Sequence, residues 1–255
     1  MTPRARISAA IGRANARGGP ALVGFMTAGY PSRERFGEHL LSIARGADVI
    51  EIGVRFTDPM ADGVTIQRAS RGALAQGVSL RWILAELCAM PRLDVPLILM
   101  SYLNPLLAVG LAALSACAFD AGVCGFIVPD LPLDESDDFR AALEPRSLAL
   151  IQMVTPVTSA ERLARLCDAS QGFVYAVTMT GTTGRNVAVP ETVLAYLDRV
   201  RAGARIPVCA GFGIRTREQV ARLTGHVDGV IVGSALVEVL ERDADPAAWL
   251  STLRA

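Results

Sequence analysis

A (β/α)8 barrel, the TIM-barrel architecture, is the α/β fold this chain predicts, and three observations predict it. Eight short apolar runs rich in β-branched residues recur along the chain, amphipathic stretches separate them, and the length of 255 residues suits one such barrel of roughly 250 residues. Apolar runs of this kind read as strands buried on both faces, as a parallel sheet covered by helices requires. A doubly wound sheet shares the alternation, but eight strands in one chain of this length favour the barrel.

The runs fall at residues 21–27, 48–53, 96–101, 125–129, 148–154, 172–178, 206–211 and 228–232. Helical patterns occupy residues 32–45, 80–90, 106–119, 136–143, 159–167, 191–201 and 215–223, with Ser32, Ser159 and Thr216 placed as N-caps. An extra N-terminal helix over residues 5–16 is expected to cover the bottom of the barrel, and residues 235–253 to supply one or two closing helices. The whole chain, 1–255, then reads as a single barrel domain.

Composition narrows the function. Hydrophobic residues make up 51% of the chain, which excludes a disordered polymer. Zero net charge leaves no basic field to hold nucleic acid or an anionic membrane surface. Residues 95–119 carry no charge and are long enough to raise the question of a membrane span, but Pro96, Ser101, Asn104 and Pro105 divide them into strand, loop and helix. Arg4, Arg6, Arg13 and Arg17 follow a helical pattern without the apolar segment of a signal peptide, so a cytoplasmic protein is expected. All 25 basic residues are arginine, and without lysine neither Schiff-base aldolase nor pyridoxal chemistry is open to the chain. The five cysteines are odd in number, scattered and without CxxC spacing, which predicts core positions. With only His39 and His226, a three-histidine zinc site is excluded and a histidine-centred triad is disfavoured.

In a barrel, function gathers at the C-terminal strand ends. The second run closes on Glu51 and leads to Asp58 and Asp62. An ionised carboxylate at the end of an apolar strand must be paired or must raise its pKa, which makes Glu51 a candidate proton carrier near neutral pH. Asp62, in a loop, is expected to stay ionised. Asp58 before Pro59 reads as a turn former, while Asp130 is balanced between helix-cap support and the site. The sequences Gly211-Phe212-Gly213-Ile214 and Gly233-Ser234-Ala235 end the last two runs. Either alone reads as a tight turn; together they suggest a phosphate seat of backbone N–H groups with Ser234 opening a helix, and Gly184 could add a donor. Phe25, Tyr102, Leu103, Ile127, Ile151 or Met153, and Tyr175 would line an apolar pocket suited to a flat aromatic body with a phosphate tail.

The segment EIGVRFTDPMADGVTIQ, residues 51–67, resembles the E-x-G-x-x-F-[ST]-D-P-x-A-D-G signature of the tryptophan synthase alpha chain family. FMTAGYP, YLNP, IVPDLPLDES, GFVYAV, GFGI and VGSA, beginning at Phe25, Tyr102, Ile127, Gly172, Gly211 and Val232, extend the resemblance over almost the whole chain. It implies a lyase that cleaves indole-3-glycerol phosphate by a retro-aldol reaction to indole and glyceraldehyde 3-phosphate, with no cofactor and no metal. By the same resemblance Glu51 protonates indole C3 and takes the glycerol hydroxyl proton, Asp62 accepts the indole N–H, and Tyr175 borders the scissile bond. Gly184, Phe212, Gly213, Gly233 and Ser234 would hold the phosphate, and Thr183, in a mobile loop over residues 179–189, would meet Asp62. The implied partner is a tryptophan synthase beta chain in an alpha2beta2 assembly. Arg55 and Val64 stand where the family commonly has proline, in the loop facing that partner, and MTGT at residues 179–182 replaces a common R-x-G-V. A free-standing indole producer and a catalytically weak activating subunit are the alternatives.

Overall fold

The computed structural model describes residues 1–58, 62–178, 189–211 and 213–254. The strands among them are β1 (Ala21–Thr27), β2 (Val49–Gly53), β3 (Leu97–Met100), β4 (Val123–Ile127), β5 (Ala149–Ile151), β6 (Met153–Val154), β7 (Val174–Val177), β8 (Val208–Gly211) and β9 (Gly229–Val232). They pair in parallel in the order β5-β4-β3-β2-β1-β9-β8-β7-β6. The two ends of that order, β5 and β6, are halves of one stave interrupted at Gln152, so nine strands make the eight staves of a (β/α)8 barrel. The interruption has a local cause: the Gln152 N–H leaves the ladder to donate to Ser170 Oγ at 2.9 Å.

Alternation divides the strand side chains into two layers. Leu22, Ile50, Ile52, Leu97, Leu99 and Phe126 face outward into the layer shared with the helices. Val23, Val49, Ile98, Ile151, Phe173, Cys209 and Ile231 fill the interior. The described helices are α1 (Pro3–Asn15), α2 (Phe36–Gly46), α3 (Val64–Ala75), α4 (Leu80–Ala89), α5 (Leu103–Leu107), α6 (Leu111–Asp120), α7 (Asp137–Leu143), α8 (Ala160–Ala169), α9 (Glu191–Gly203), α10 (Arg217–Leu223), α11 (Ser234–Glu241) and α12 (Pro246–Leu253). As expected, α1 covers the bottom: Ile7, Ala10, Ile11 and Ala14 join the interior cluster. None of the described helices is long and apolar enough to cross a membrane.

Ser159 and Thr216 cap α8 and α10 as expected, the latter in a reciprocal capping box with Gln219. Ser32 does not cap α2, which begins at Phe36. Gln76, the residue after α3, ties down the bend before α2, accepting from Arg33 N at 2.8 Å and donating to Pro31 O at 3.1 Å. The helix expected over 106–119 is two helices, α5 and α6, parted at Gly110 with φ 85°. Helix α3 is not among the expected elements at all, because Gly72 and a thin apolar stripe mask it. Gly72 is a packing requirement: a Cβ there would lie 2.6 Å from the Tyr30 ring. Cys124, Cys167 and Cys209 are buried, but Cys88 and Cys117 are exposed rather than in the core.

Candidate active site

Glu51 is 1% exposed, and its Oε2 has no hydrogen-bond partner among the described residues. The residue pairs with Phe25 of β1 on one side and Ile98 of β3 on the other. A carboxyl group held there loses its hydration without a compensating cation. Burial first, and the Asp62 carboxylate second, lift its pKa to about 8. Asp62, two residues before α3, is partly buried, and burial raises its pKa too; it is therefore not the ordinary solvated loop aspartate that the sequence suggests.

Two inward aromatic rings lean over glycines. A Cβ on Gly53 would lie 2.6 Å from Phe25 Cζ, and one on Gly211 would lie 2.5 Å from Tyr175 Oη. In each case the glycine stands two residues beyond the ring's register partner on the next strand, Glu51 for Phe25 and Cys209 for Tyr175. Glycine is needed at these two positions for space, whatever the backbone angle. Phe25 also reaches toward Gly233, where a Cβ would sit 3.9 Å from its Cδ1. The Tyr175 hydroxyl is raised well above its ordinary pKa, by burial first and then by the charges of Glu51, Cys209 and Asp62, so it remains a neutral phenol.

A narrow cleft opens beside these groups, lined by Phe25, Thr27, Gly53, Asp62, Met100 and Tyr102 among others. Tyr102 is buried and stacks on Phe56 with ring centroids 4.7 Å apart. Ile127 and Tyr175 belong to the interior cluster, whereas Leu103 packs against the outer layer. Asp130 accepts a 2.9 Å hydrogen bond from Leu103 N at the start of α5, the helix-supporting role. Asp58 is exposed and accepts from Thr57 Oγ1, as a turn former does.

At the next strand ends, Gly213 is exposed with φ +27° and open space where a Cβ would be, so its backbone is approachable. Ser234 begins α11, and the first turn of that helix has no acidic residue to repel an anion. Thr183, Gly184 and Phe212 lie outside the described residues, as do the MTGT segment and most of the 179–189 loop. Lining residues not among the candidates from sequence are Thr27, Gly53, Val54, Ile66, Ser70, Met100, Ser101 and Pro129. Ile66 and Ser70 are one helical turn apart on α3, and only recognition of that helix could have found them. Thr27 sits inside the FMTAGYP motif; its Oγ1 is buried without a hydrogen-bond partner among the described residues.

The tryptophan synthase alpha chain family model matches residues 11–252. The chain is 44% identical over 247 residues to the tryptophan synthase alpha chain of Nitratidesulfovibrio vulgaris (strain Hildenborough), covering 96% of each protein. Among solved structures, Mycobacterium tuberculosis tryptophan synthase superposes with a TM-score of 0.89 at 37% identity, covering 97% of this chain and 96% of that one. A chain of the tryptophan synthase complex from Pyrococcus furiosus gives 0.83 at 30% identity, covering 92% and 98%. With a barrel that sets a buried carboxyl beside an aromatic slot and two glycine-marked strand ends, the chain belongs to the tryptophan synthase alpha chain family and is a lyase that cleaves indole-3-glycerol phosphate.

Proposed function

We propose that Glu51 and Asp62 carry the cleavage, with Tyr175 beside the scissile bond. The observation that supports this most is the Glu51 carboxyl, fully buried and lifted to about 8, which keeps its proton at neutral pH. It gives that proton to indole C3, and the positive charge this creates on the ring nitrogen is balanced by the Asp62 carboxylate. The Glu51 carboxylate then takes the proton from the hydroxyl on the carbon joined to C3. The C3–carbon bond breaks, its electron pair restores the indole ring, and the hydroxyl carbon becomes the aldehyde of glyceraldehyde 3-phosphate. Glu51 ends protonated, ready for another turnover.

The phosphate rests on backbone N–H groups at Gly213, Gly233 and Ser234; the resemblance adds Phe212 and Gly184 to this seat and Thr183 as the partner of Asp62, all three outside the described residues. Phe25, Tyr102, Leu103 and Ile127 shape the aromatic end, with Asp130 fixing α5 beneath it. The chain acts as one domain in the cytoplasm, without cofactor or metal, alongside a beta chain. Arg55 and Val64, where the family commonly has proline, weigh against ordinary coupling to that partner; Arg55 Nε donates to Val78 O within the chain. Glu51→Gln and Asp62→Asn should each abolish indole release while a phosphate-bearing ligand still binds. Wild-type turnover by either variant refutes the assignment. Added beta chain should stimulate indole release, and the absence of any response would remove the beta chain from this account.

A further inference from the structure

The phosphate seat draws its N–H groups from two loops on different strands, and the two must be held at a fixed separation to converge on one anion. A side-chain pair spans them. Arg215 directly follows the Gly213-Ile214 end of the first loop, and Glu238 lies one helical turn after Ser234 on α11. The guanidinium donates to both carboxylate oxygens, Nη1 to Oε2 at 2.7 Å and Nη2 to Oε1 at 2.9 Å. Both side chains are more than half buried, at 32% and 23% exposure. A two-point fork of this kind fixes angle as well as distance, which a single ammonium contact does not.

The pair sits in a wider lacing of α11 to α3, the helix that Asp62 precedes. Glu238 Oε1 also lies 3.5 Å from Thr65 Oγ1 in the first turn of α3. One turn further along both helices, Glu241 accepts from Arg68 at 2.8 Å and from Tyr30 Oη at 2.7 Å. Acids on α11 thus tie down the loop after β8 on one flank and α3 on the other.

We propose that Arg215 and Glu238 are positioning residues for the phosphate seat, clamping the loop after β8 onto α11 so that the N–H groups of both loops face one phosphate. The inference rests on the placement of the phosphate given above. Neither residue touches the substrate; each acts through the backbone it holds. Preorganisation of this sort strengthens binding of the group it frames and leaves the rest of the ligand alone. The pair should therefore govern affinity for the phosphate end of the substrate and leave the indole end alone.

The test compares glycerol 3-phosphate and indole as separate probes by calorimetry, together with steady-state cleavage, on wild type, Glu238→Gln, Arg215→Met and the charge-exchanged double variant Arg215→Glu/Glu238→Arg. Both single variants should bind glycerol 3-phosphate about tenfold more weakly, raise KM in step, keep indole affinity and hold kcat near wild type. The double variant should recover most of the loss. Unchanged or tighter glycerol 3-phosphate binding in the single variants overturns the inference while leaving the seat in place. Equal weakening of both probes also overturns it, since it marks general support of the fold. If wild type itself binds indole but no glycerol 3-phosphate, the placement of the phosphate fails and the clamp with it.

Discussion

Glu51 carries the sharpest linkage between chemistry and stability. Its pKa is raised from 4.5 in the unfolded chain to about 8 in the folded one, so the native state binds the extra proton between those values. Stability from this group is full below pH 4.5 and is lost as pH rises toward 8, since the folded chain must then either keep a proton or bury a charge. Glu51→Gln, which cannot ionise, is expected to be the more stable protein at pH 9 by on the order of a few kcal/mol, with the difference vanishing near pH 4. Thermal melts of both proteins across that range check it, and a pH-independent difference would show that the buried charge is not the cause. If Glu51 is the proposed proton donor, activity follows the same proton from the other side: kcat/KM should fall above about pH 8, where the carboxyl no longer holds it. The residue's position and its raised pKa were legible in the sequence because an acid closing an apolar strand has few other readings. The partial burial of Asp62 was not, since nothing local distinguishes a solvated loop aspartate from one partly buried.

Elements explain where the sequence reading stopped. Staves and their helices announce themselves through apolar period and length, and β1 is buried at all seven of its positions. Helix α3 is different: Gly72 is required by the Tyr30 ring, a contact with a residue more than forty positions earlier, and no local rule encodes it. The same blindness hid Ile66 and Ser70. The start of α2 lies beyond Ser32 for a local reason: its hydroxyl donates to Glu34 and accepts from Arg35 N within the turn that precedes Phe36. Two variants test the packing arguments. Gly211→Ala puts a methyl group 2.5 Å from the Tyr175 hydroxyl, so the ring must move; kcat/KM should drop by roughly tenfold or more with the fold intact, as small misplacements at a reacting centre do. Ile11→Ala empties a fully buried position in the bottom plug and should cost about 2–5 kcal/mol in denaturant unfolding, with kcat unchanged because chemistry sits at the opposite end of the barrel. A kcat loss in the second variant comparable to the first would erase the division between the two ends.

For the whole molecule, the absence of lysine has a practical reading. Amine-directed acylation can reach only the α-amino group, and it should leave cleavage of indole-3-glycerol phosphate at its untreated rate; inactivation in proportion to a single adduct would point to an unforeseen role for the amino terminus. The family itself was legible because its motifs lie at the strand ends, where the barrel has least freedom to vary residue type. The lacing between α3 and α11 was not, since its partners are scattered from Tyr30 to Glu241 and meet only after the sheet has closed.

That closure runs through the pairing of β1 with β9, Ala21 with Gly229 through Gly24 with Val232. The earliest stave of the chain and the last are therefore neighbours, and on the proposed assignment the reaction straddles their seam, with the acid on β2 to one side and the anion seat beyond β9 on the other. A polypeptide still emerging from the ribosome can hold both carboxylates for most of its synthesis, yet it has no Ser234 helix to receive a phosphate and no ninth strand to shut the interior against water. Incomplete or clipped chains lacking that final stave should be silent, so they could neither drain indole-3-glycerol phosphate nor release indole.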